Sequence, residues 1–317
     1  MSFRQQSTKK EMNNLPRLML FALLLFFTAA LYGQNKKQSA LEGKLRELAN
    51  SFHGDVGIYV RHLKSGLTVN INADSLFPTA SMIKIPITIG VFDKIERGEL
   101  GYFDELVYHD SLLYEGVDLL GSFKSGEKIE LNKLLMLMIT MSDNTASLWC
   151  QHLAGTGTAI NQWLENNGFM HTRVNSRTPG RELARSRYGW GQTSPREMAE
   201  LVVRIHEGKV ISERVSERIY RNLGNIYWDN TALSQIPPYI ATASKQGAVN
   251  QSRSEVVLVN APHGAYVFCV ITKNQQDESW TRDNEGFVLL RNVSAMLWRF
   301  FEPDDKWKPA TDIEVWR

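Results

Sequence analysis

Apolar residues recur along the chain with two different spacings, and these distinguish helices from strands. Near the start, four large apolar residues lie three or four positions apart: Leu41, Leu45, Leu48 and Phe52. This spacing predicts a helix over residues 41–52. The segments Val56–Val60 and Leu67–Ile71 are rich in β-branched residues, and Lys64-Ser65-Gly66 between them is typical of a hairpin turn.

The middle of the chain has mostly helical spacing, and strands return near its end. From about Ile95 to about Pro238 the apolar positions favour helices rather than strands. The clearest helical segments are Leu131–Met141 and Pro195–His206. Helices are also predicted over residues 81–95 and over Trp280–Phe301. Two late segments, Glu255–Val259 and Ala265–Ile271, are predicted strands on either side of the turn signal Pro262-His263-Gly264.

Strands at both ends of the chain would each leave open edges, which are unfavourable unless they are paired. A single sheet built from both ends, with a helical insertion between them, pairs both sets. We therefore predict an α/β protein with a discontinuous sheet domain, residues 34–97 and 238–317, and an all-helical domain, residues 98–237.

The first 33 residues resemble an export signal. Leu18–Leu31 contains no charge, basic residues precede it, and Gly33 follows it closely. An apolar run of this length is typical of a signal peptide over residues 1–33, with an uncleaved anchor as the alternative. Cleavage would leave a periplasmic or secreted protein that is not stably inserted in a membrane.

Composition excludes several classes of protein. The 317 residues are 43% hydrophobic and 22% charged, with a net charge of +2, so the chain is neither disordered nor collagen-like nor polytopic. The balanced charge gives no reason to expect a nucleic-acid partner. Cys150 and Cys269 lie in apolar segments, so two buried free thiols are expected, although a disulfide remains an alternative.

Ser81 is a candidate nucleophile. Ser-x-x-Lys also occurs at Ser7 and Ser125, but only Ser81 begins a strongly apolar helix. On a helix, Ser81 and Lys84 lie one turn apart on the same face, near N–H groups that favour a developing oxyanion. The same positive field disfavours the charge of Lys84, and a neutral amine can remove the proton of a serine. A helix cap followed by a surface lysine is the structural alternative.

Two further elements follow Ser81 in the chain. Ser142-Asp143-Asn144 places a hydroxyl and an amide close together, and it could equally cap the helix that follows. Lys245-Gln246-Gly247 precedes the strand Glu255–Val259, and its glycine would let a ligand approach the backbone. A surface lysine on a strand is the alternative for Lys245.

Together these elements resemble the signatures of the class A serine β-lactamases, a branch of the penicillin-recognising serine hydrolases. Their order, their spacing and the flanking segments 140–146 and 193–199 agree with that family over nearly the whole mature chain. The resemblance implies an antiparallel sheet flanked by helices, and a hydrolase that acts on cyclic amides and contributes to antibiotic resistance through β-lactam catabolism. It also implies a monomer without cofactor or metal, whose partners are β-lactams or peptidoglycan-like peptides.

The resemblance also implies residue roles. Ser81 would be acylated, Lys84 would deprotonate it, and Ser142 would protonate the leaving nitrogen. Asn144 would bind the acylamino group of the substrate. Lys245 and Gly247 would form the carboxylate side of the site, and the N–H of Ala248 would complete the oxyanion hole with that of Ser81. Arg253 would bind the substrate carboxylate.

The chain departs from the family pattern at two places. Gln246 stands where Thr or Ser is usual. In the loop before Thr193, the family's Glu-x-x-x-Asn is absent, and Glu182 is the carboxylate of residues 177–186. Glu182 is therefore the candidate base for deacylation, with a surface ion pair to Arg181 or Arg185 as its alternative.

Three functions remain open: a β-lactamase, a D-Ala-D-Ala peptidase or esterase with slow β-lactam deacylation, and a catalytically silent binding module. The four groups Ser81, Lys84, Ser142 and Lys245 argue against the silent module. A zinc hydrolase is disfavoured because no His-Glu-x-x-His occurs, and an α/β-hydrolase because no Gly-x-Ser-x-Gly occurs.

Overall fold

A computed structural model describes residues 36–114 and 118–309. By its internal contacts the chain divides into two units, residues 1–44 and 45–317. Residues 36–44 in the first unit and residues 45–50 in the second are helical, in agreement with the apolar spacing there. The predicted signal peptide, residues 1–33, lies outside the described residues. Within the described ranges, no helix is long and apolar enough to cross a membrane.

A five-stranded antiparallel sheet forms the centre of the second unit. Its strands are β1 Asp55–His62, β2 Thr68–Ile71, β8 Thr242–Val249, β9 Ser252–Val259 and β10 Tyr266–Lys273. Across the sheet they lie in the order β2-β1-β10-β9-β8. Strand β1 pairs with β10, with Tyr59 opposite Cys269. The sheet therefore joins an early and a late segment of the chain, and the prediction of an α/β fold with such a sheet is confirmed.

Helices cover this sheet and fill the middle of the chain. They are α1 Lys84–Glu96, α2 Leu131–Met136, α3 Asn144–Leu153, α4 Thr156–Asn166, α5 Glu182–Tyr188, α6 Pro195–His206, α7 Glu213–Leu223 and α8 Glu285–Phe301. Both α6 and α8 contact the sheet. Strands β9 and β10 are buried along almost their whole length because helices pack against the sheet.

The structure differs from three details of the helix predictions. The segment beginning at Ser81 starts as a 3₁₀ turn, Ala80–Ile83, before α1. After α2 the chain continues as a π-helix, Leu137–Met141, rather than as regular α-helix. The last helix begins at Glu285 instead of Trp280 because the side chain of Asn284 caps it, accepting from the N–H groups of Gly286 and Phe287.

Short strands also occur in the segment predicted to be all-helical. They are β4 Glu105–Val107, β5 Lys128–Glu130, β6 Arg173–Val174 and β7 Gly191–Thr193. Strand β7 pairs with both β6 and the two-residue strand β3, Phe77–Pro78. This small sheet fixes the backbone just before Ser81. The domain boundaries at 98 and 238 stay a prediction.

Helix α1 is central to the core of the second unit. Every residue from Lys84 to Phe92 is buried, and this part of the helix is apolar on all sides apart from Lys84 and Thr88. Thr88 donates to the carbonyl of Lys84. Cys150 and Cys269 are both buried and free, so the expectation of two free thiols agrees with the structure.

Candidate active site

Ser81 lies in a tightly anchored turn. Its neighbour Ala80 has a φ of 44°, in the left-handed region that alanine rarely adopts. The N–H of Thr79 donates to the carbonyl of Gly191 in β7, at 3.0 Å. Strained backbone of this kind persists where the surrounding structure determines it, and such positions cluster at functional sites. The turn aims Ser81 towards the elements that carry the other candidate residues.

Lys84 lies at the centre of the site and is fully buried. Its Nζ is 3.1 Å from Ser81 Oγ and 3.1 Å from Ser142 Oγ. It also contacts Ser142 O at 2.5 Å and Asn144 Oδ1 at 2.8 Å. An ammonium has three hydrogens for these four oxygens, whereas a neutral amine can accept a proton from a serine hydroxyl.

Burial lowers the pKa of Lys84 to about 7, although Asp118 and Asp143 oppose the shift by favouring its charge. A substantial neutral fraction therefore exists near pH 7. This satisfies the condition under which Lys84 can act as a general base towards Ser81.

Ser142 occupies a strained position at the end of the π-helix. Its φ of 61° and ψ of 30° are left-handed, and the next residue, Asp143, is the N-cap of α3. Asp143 caps α3 by accepting from Ala146 N at 2.7 Å, and it also accepts from Leu120 N at 2.9 Å. Ser142-Asp143-Asn144 therefore does cap the helix that follows, and the capping side chain is that of Asp143. Ser142 and Asn144 are left to face Lys84.

Lys245 reaches Ser142 from the opposite side, as a lysine on strand β8. Its Nζ is 3.0 Å from Ser142 Oγ and 2.9 Å from Gln246 Oε1. Complete burial lowers the pKa of Lys245 well below its usual range, and the nearby Lys84 lowers it further. The hydroxyl of Ser142 thus bridges two amines, an arrangement through which a proton can pass.

Glu255 lies behind Lys245 on strand β9, paired opposite Gln246. It is fully buried and accepts hydrogen bonds from Thr231 Oγ1, Ala232 N and Ser244 Oγ, at 2.5, 2.9 and 2.8 Å. Burial raises the pKa of Glu255, while these donors and Lys245 oppose the rise. The sequence analysis missed this residue, although a lone acid in the predicted strand Glu255–Val259 was the available signal.

Gly247 lies where strand β8 passes the turn of Ser81. A Cβ at position 247 would be 2.6 Å from the carbonyl oxygen of Thr79 and 2.8 Å from Ser254 Oγ. Only glycine permits this approach. The close contact places Ala248 beside Ser81, and both residues line the same two cavities.

Two cavities meet at Ser81. Both are lined by Ser81, Asn144 and Ala248. The larger has a volume of about 560 Å³ and is lined by Ser142, Gln246 and Gly247, and also by Arg282 and Arg291. The smaller has a volume of about 430 Å³ and extends along Tyr114, Tyr188 and Trp190. We name them the Ser142 cavity and the aromatic cavity. A substrate carbonyl at Ser81 could therefore place its two substituents in different cavities.

Comparisons with known proteins agree with this geometry. The sequence profile described as "Beta-lactamase enzyme family" matches residues 40–301. The chain belongs to the β-lactamase enzyme family. Members similar to it include the β-lactamase VEB-1 of Pseudomonas aeruginosa, which is 21% identical over 90% of this chain and 97% of its own. The resemblance to class A serine β-lactamases is thus confirmed, and the chain is a serine hydrolase of that type.

Solved structures share the fold of this β-lactamase-family chain. A mutant of PBP-A, in an acyl-enzyme complex with penicillin G, is 26% identical with a TM-score of 0.74, covering 84% of this chain and 97% of its own. A class A β-lactamase from Mycobacterium abscessus is 19% identical with a TM-score of 0.73, covering 82% of this chain and 99% of its own.

Glu182, the candidate base of this β-lactamase-family chain, is not brought to Ser81. It begins α5 and is exposed, and its carboxylate accepts from the N–H of Gly180 at 3.1 Å. It lines neither cavity, and of their described lining residues only Asp118 carries a carboxylate. Arg181 next to it binds Asn175 Oδ1 and Gln192 Oε1 and so holds the loop together.

Arg253 also lies outside both cavities. Its buried guanidinium donates to the backbone carbonyls of Val249, Ser252 and Ser279, and it stacks between the rings of Trp280 and Phe287 at 4.5 and 4.7 Å. The arginine therefore fixes the turn between β8 and β9, and its side chain has little freedom to reach a substrate. Arg282 and Arg291, which the sequence analysis did not single out, line the Ser142 cavity instead.

The described residues contain no group of three or more His, Cys, Asp or Glu able to hold a metal ion. The chemistry of the site is instead that of hydroxyls, amines and an amide. These groups suit acyl transfer to a serine.

Proposed function

We propose that this protein hydrolyses the amide bond of β-lactams through an acyl-enzyme on Ser81. The observation that carries the proposal is the position of Lys84, whose Nζ is 3.1 Å from both Ser81 Oγ and Ser142 Oγ and whose pKa is lowered to about 7. A buried amine between two hydroxyls supplies a base for the nucleophile and a path for its proton.

In the acylation step, Ser81 Oγ attacks the carbonyl carbon of the lactam while its proton moves to Lys84 Nζ. The carbonyl oxygen becomes negative and accepts hydrogen bonds from the N–H groups of Ser81 and Ala248. When the carbon–nitrogen bond breaks, Ser142 donates its hydroxyl proton to the leaving nitrogen. Lys84 then returns a proton to Ser142, which restores both groups.

The remaining candidate residues orient the substrate. Asn144 would hold the acylamino group through its side-chain amide, since it lines both cavities. Lys245 holds Ser142 through its hydrogen bond and would donate to the substrate carboxylate on the side of Gly247. Arg253 was expected to share this task. Its hydrogen bonds to the backbone carbonyls of Val249, Ser252 and Ser279 favour a supporting role in the strand turn.

A second function is favoured by the position of Glu182. Hydrolysis of the ester on Ser81 needs a water and gains about 10²- to 10⁴-fold from a general base. Because Glu182 is exposed outside both cavities, the ester could persist, as in a penicillin-binding peptidase or esterase. The similar PBP-A mutant, with its penicillin G acyl-enzyme, supports this alternative.

We also propose that the protein acts in the periplasm or is secreted, after removal of residues 1–33, and that it is a monomer. Proteins of this family are typically exported, and the short apolar segment Leu18–Leu31 with its preceding basic residues supports a signal peptide. A peptidoglycan-like peptide would be the substrate under the peptidase alternative.

The two functions are distinguished by the lifetime of the adduct. The mature protein is mixed with excess benzylpenicillin, and its intact mass and the concentration of the drug are followed over time. A short-lived adduct with continuing loss of the drug supports the β-lactamase. A lasting adduct with a single equivalent consumed supports the peptidase, and the absence of both an adduct and any loss of the drug contradicts both.

The role of Glu182 is tested by Glu182→Gln, with Arg185→Ala on the same helix as the control. From its exposure we expect both variants to acylate and deacylate at the wild-type rate. A change that slows deacylation far more than acylation in Glu182→Gln alone would show that the loop brings this carboxylate to the ester.

A further inference from the structure

The aromatic cavity combines three rings with two cations. Tyr114, Tyr188 and Trp190 line it together with Arg187 and Lys273, and no described lining residue is acidic. It shares Ser81, Asn144 and Ala248 with the Ser142 cavity but not Ser142 or Gly247. Since the leaving nitrogen must lie at Ser142, the aromatic cavity is on the acyl side of the bond that breaks.

The rings form a preorganised wall. Tyr114 and Trp190 pack edge to face, with centroids 5.0 Å apart and an interplanar angle of 82°. The carbonyl of Trp190 accepts from the N–H groups of Asn175 and Ser176, at 2.8 and 3.0 Å, which fixes this residue against the loop. A flat apolar group can stack there without large rearrangement.

The two cations differ in their surroundings. Lys273 Nζ donates to Leu76 O at 3.0 Å and lies 4.8 Å from the ring centroid of Phe77. The guanidinium of Arg187 lies 5.2 Å from the ring centroid of Tyr188. Within the part of the chain that the structure describes, Arg187 has no ion pair with an acid.

Two carboxylates outside the aromatic cavity accept hydrogen bonds from residues that line it. Glu278 accepts from Gln251 Nε2 at 2.8 Å, and Asp55 accepts from Asn274 Nδ2 at 2.7 Å. Gln251 and Asn274 line the cavity, whereas the two acids do not. They reduce the positive potential near Lys273. The net attraction for an anion is therefore assigned to Arg187.

We propose that the aromatic cavity selects acyl groups that carry both an aryl ring and a negative charge, with the rings stacking the aryl group and Arg187 attracting the charge. This inference rests on the proposed function, because it assigns the acyl side of the same site. A partly exposed charge pair contributes roughly 3- to 5-fold in affinity.

Three penicillins test the inference because they differ at a single position of one phenylacetyl side chain. Benzylpenicillin carries hydrogen there, ampicillin an ammonium and carbenicillin a carboxylate. Affinities are measured by calorimetry with Ser81→Ala, which keeps the cavity but cannot form the ester. We expect carbenicillin to bind roughly 3- to 5-fold more tightly than benzylpenicillin, and ampicillin to bind least tightly.

Arg187→Ala and Arg187→Glu, each in the Ser81→Ala background, identify the residue responsible. The first should remove the preference for carbenicillin, and the second should reverse the order so that ampicillin binds best. Arg185→Ala is the matched control, since Arg185 is an exposed arginine on the same helix that lines neither cavity. The preference should also weaken with added salt.

Equal affinities for the three penicillins, no binding of any of them, or the same loss in Arg185→Ala as in Arg187→Ala would each overturn the inference. The proposed function is judged separately, by whether benzylpenicillin acylates the unaltered protein. Acylation without charge discrimination would thus retain the function and reject the selectivity.

Discussion

Lys84 shows how the folded surroundings of one residue change its chemistry. A lysine on a surface helix would be charged at neutral pH, but the complete burial of Lys84 lowers its pKa to about 7. Its contacts to Ser81, Ser142 and Asn144 then direct the neutral amine at the hydroxyl it must deprotonate. The residue is a base because of its burial and its neighbours together.

We expect the rate constant of Ser81 acylation by benzylpenicillin to rise with pH through about 7. The pKa of Lys84 is lowered in the folded protein, so its neutral, basic form increases as pH rises past that value. Stopped-flow measurements from about pH 5 to about pH 9 give the profile, and Lys84→Ala should be slower by about 10²- to 10⁴-fold. A flat profile, or a rate that falls over this range, would show that Lys84 is not the base.

A methyl group at position 247 should disrupt the site. In Gly247→Ala the new Cβ would meet the carbonyl of Thr79 at 2.6 Å, so β8 must move away from the turn of Ser81. We expect a loss of about 1–3 kcal/mol in the free energy of unfolding and a slower acylation. Urea unfolding and acylation kinetics measure both effects.

The control for that change is Gly43→Ala, because nothing lies within 4 Å of a Cβ at position 43. Position 43 is helical, and alanine is about 1 kcal/mol more favourable than glycine there. Unfolding that is equally affected in both variants would contradict the close approach of β8 to Ser81.

Motifs identified Ser81, Lys84, Ser142, Asn144 and Lys245, and the structure brings these five residues together. Asp118 belongs to no local pattern, because its contact to Thr145 exists only in the folded chain. Glu255 is visible in the sequence as a lone acid in a strand, but its contact to Thr231 is not. Arg253 was chosen by its spacing from Lys245. Spacing places it on the adjacent strand but does not show which way its guanidinium points.

At the scale of elements, hydrophobic spacing predicted the long helices and the sheet but not the shorter irregularities that hold the site. A 3₁₀ turn and a π-helix each last about one turn, so their apolar spacing resembles that of an α-helix. Both irregular segments carry or precede a reactive serine, Ser81 or Ser142. Local departures of this kind are expected at functional sites.

The turn between β8 and β9 depends on Arg253 as a structural clamp. In Arg253→Lys the planar fork and its stacking on Trp280 and Phe287 are lost. We expect the free energy of unfolding to fall by about 2 kcal/mol, since hydrogen bonds to a buried charged group are removed. Arg299→Lys, an exposed change on α8, should leave stability unchanged.

Kinetics separate this clamp from carboxylate binding. If Arg253 only supports the turn, KM should change equally for a penicillin and for the methyl ester of its carboxylate. A rise in KM for the free carboxylate alone, without loss of stability, would instead assign Arg253 to the substrate, as its spacing first indicated.

At the scale of the whole molecule, the site exists only when three distant parts of the chain come together. Lys84 and Ser142 are 58 residues apart, and Ser142 and Lys245 are 103 apart. The pairing of strand β1 with β10 brings the two ends of the chain into one sheet, to which the turn of Ser81 and strand β8 are attached. The sheet followed from the sequence because early and late strands each lacked partners.

The central claim is that Ser81 is the acylated nucleophile, and mass spectrometry tests it most directly. Opening a β-lactam releases no leaving group, so the account predicts that benzylpenicillin adds its whole mass once to the protein. The adduct should lie on the peptide that contains Ser81 and should be absent from Ser81→Ala. An adduct that persists in Ser81→Ala, or that maps to another residue, would contradict the account.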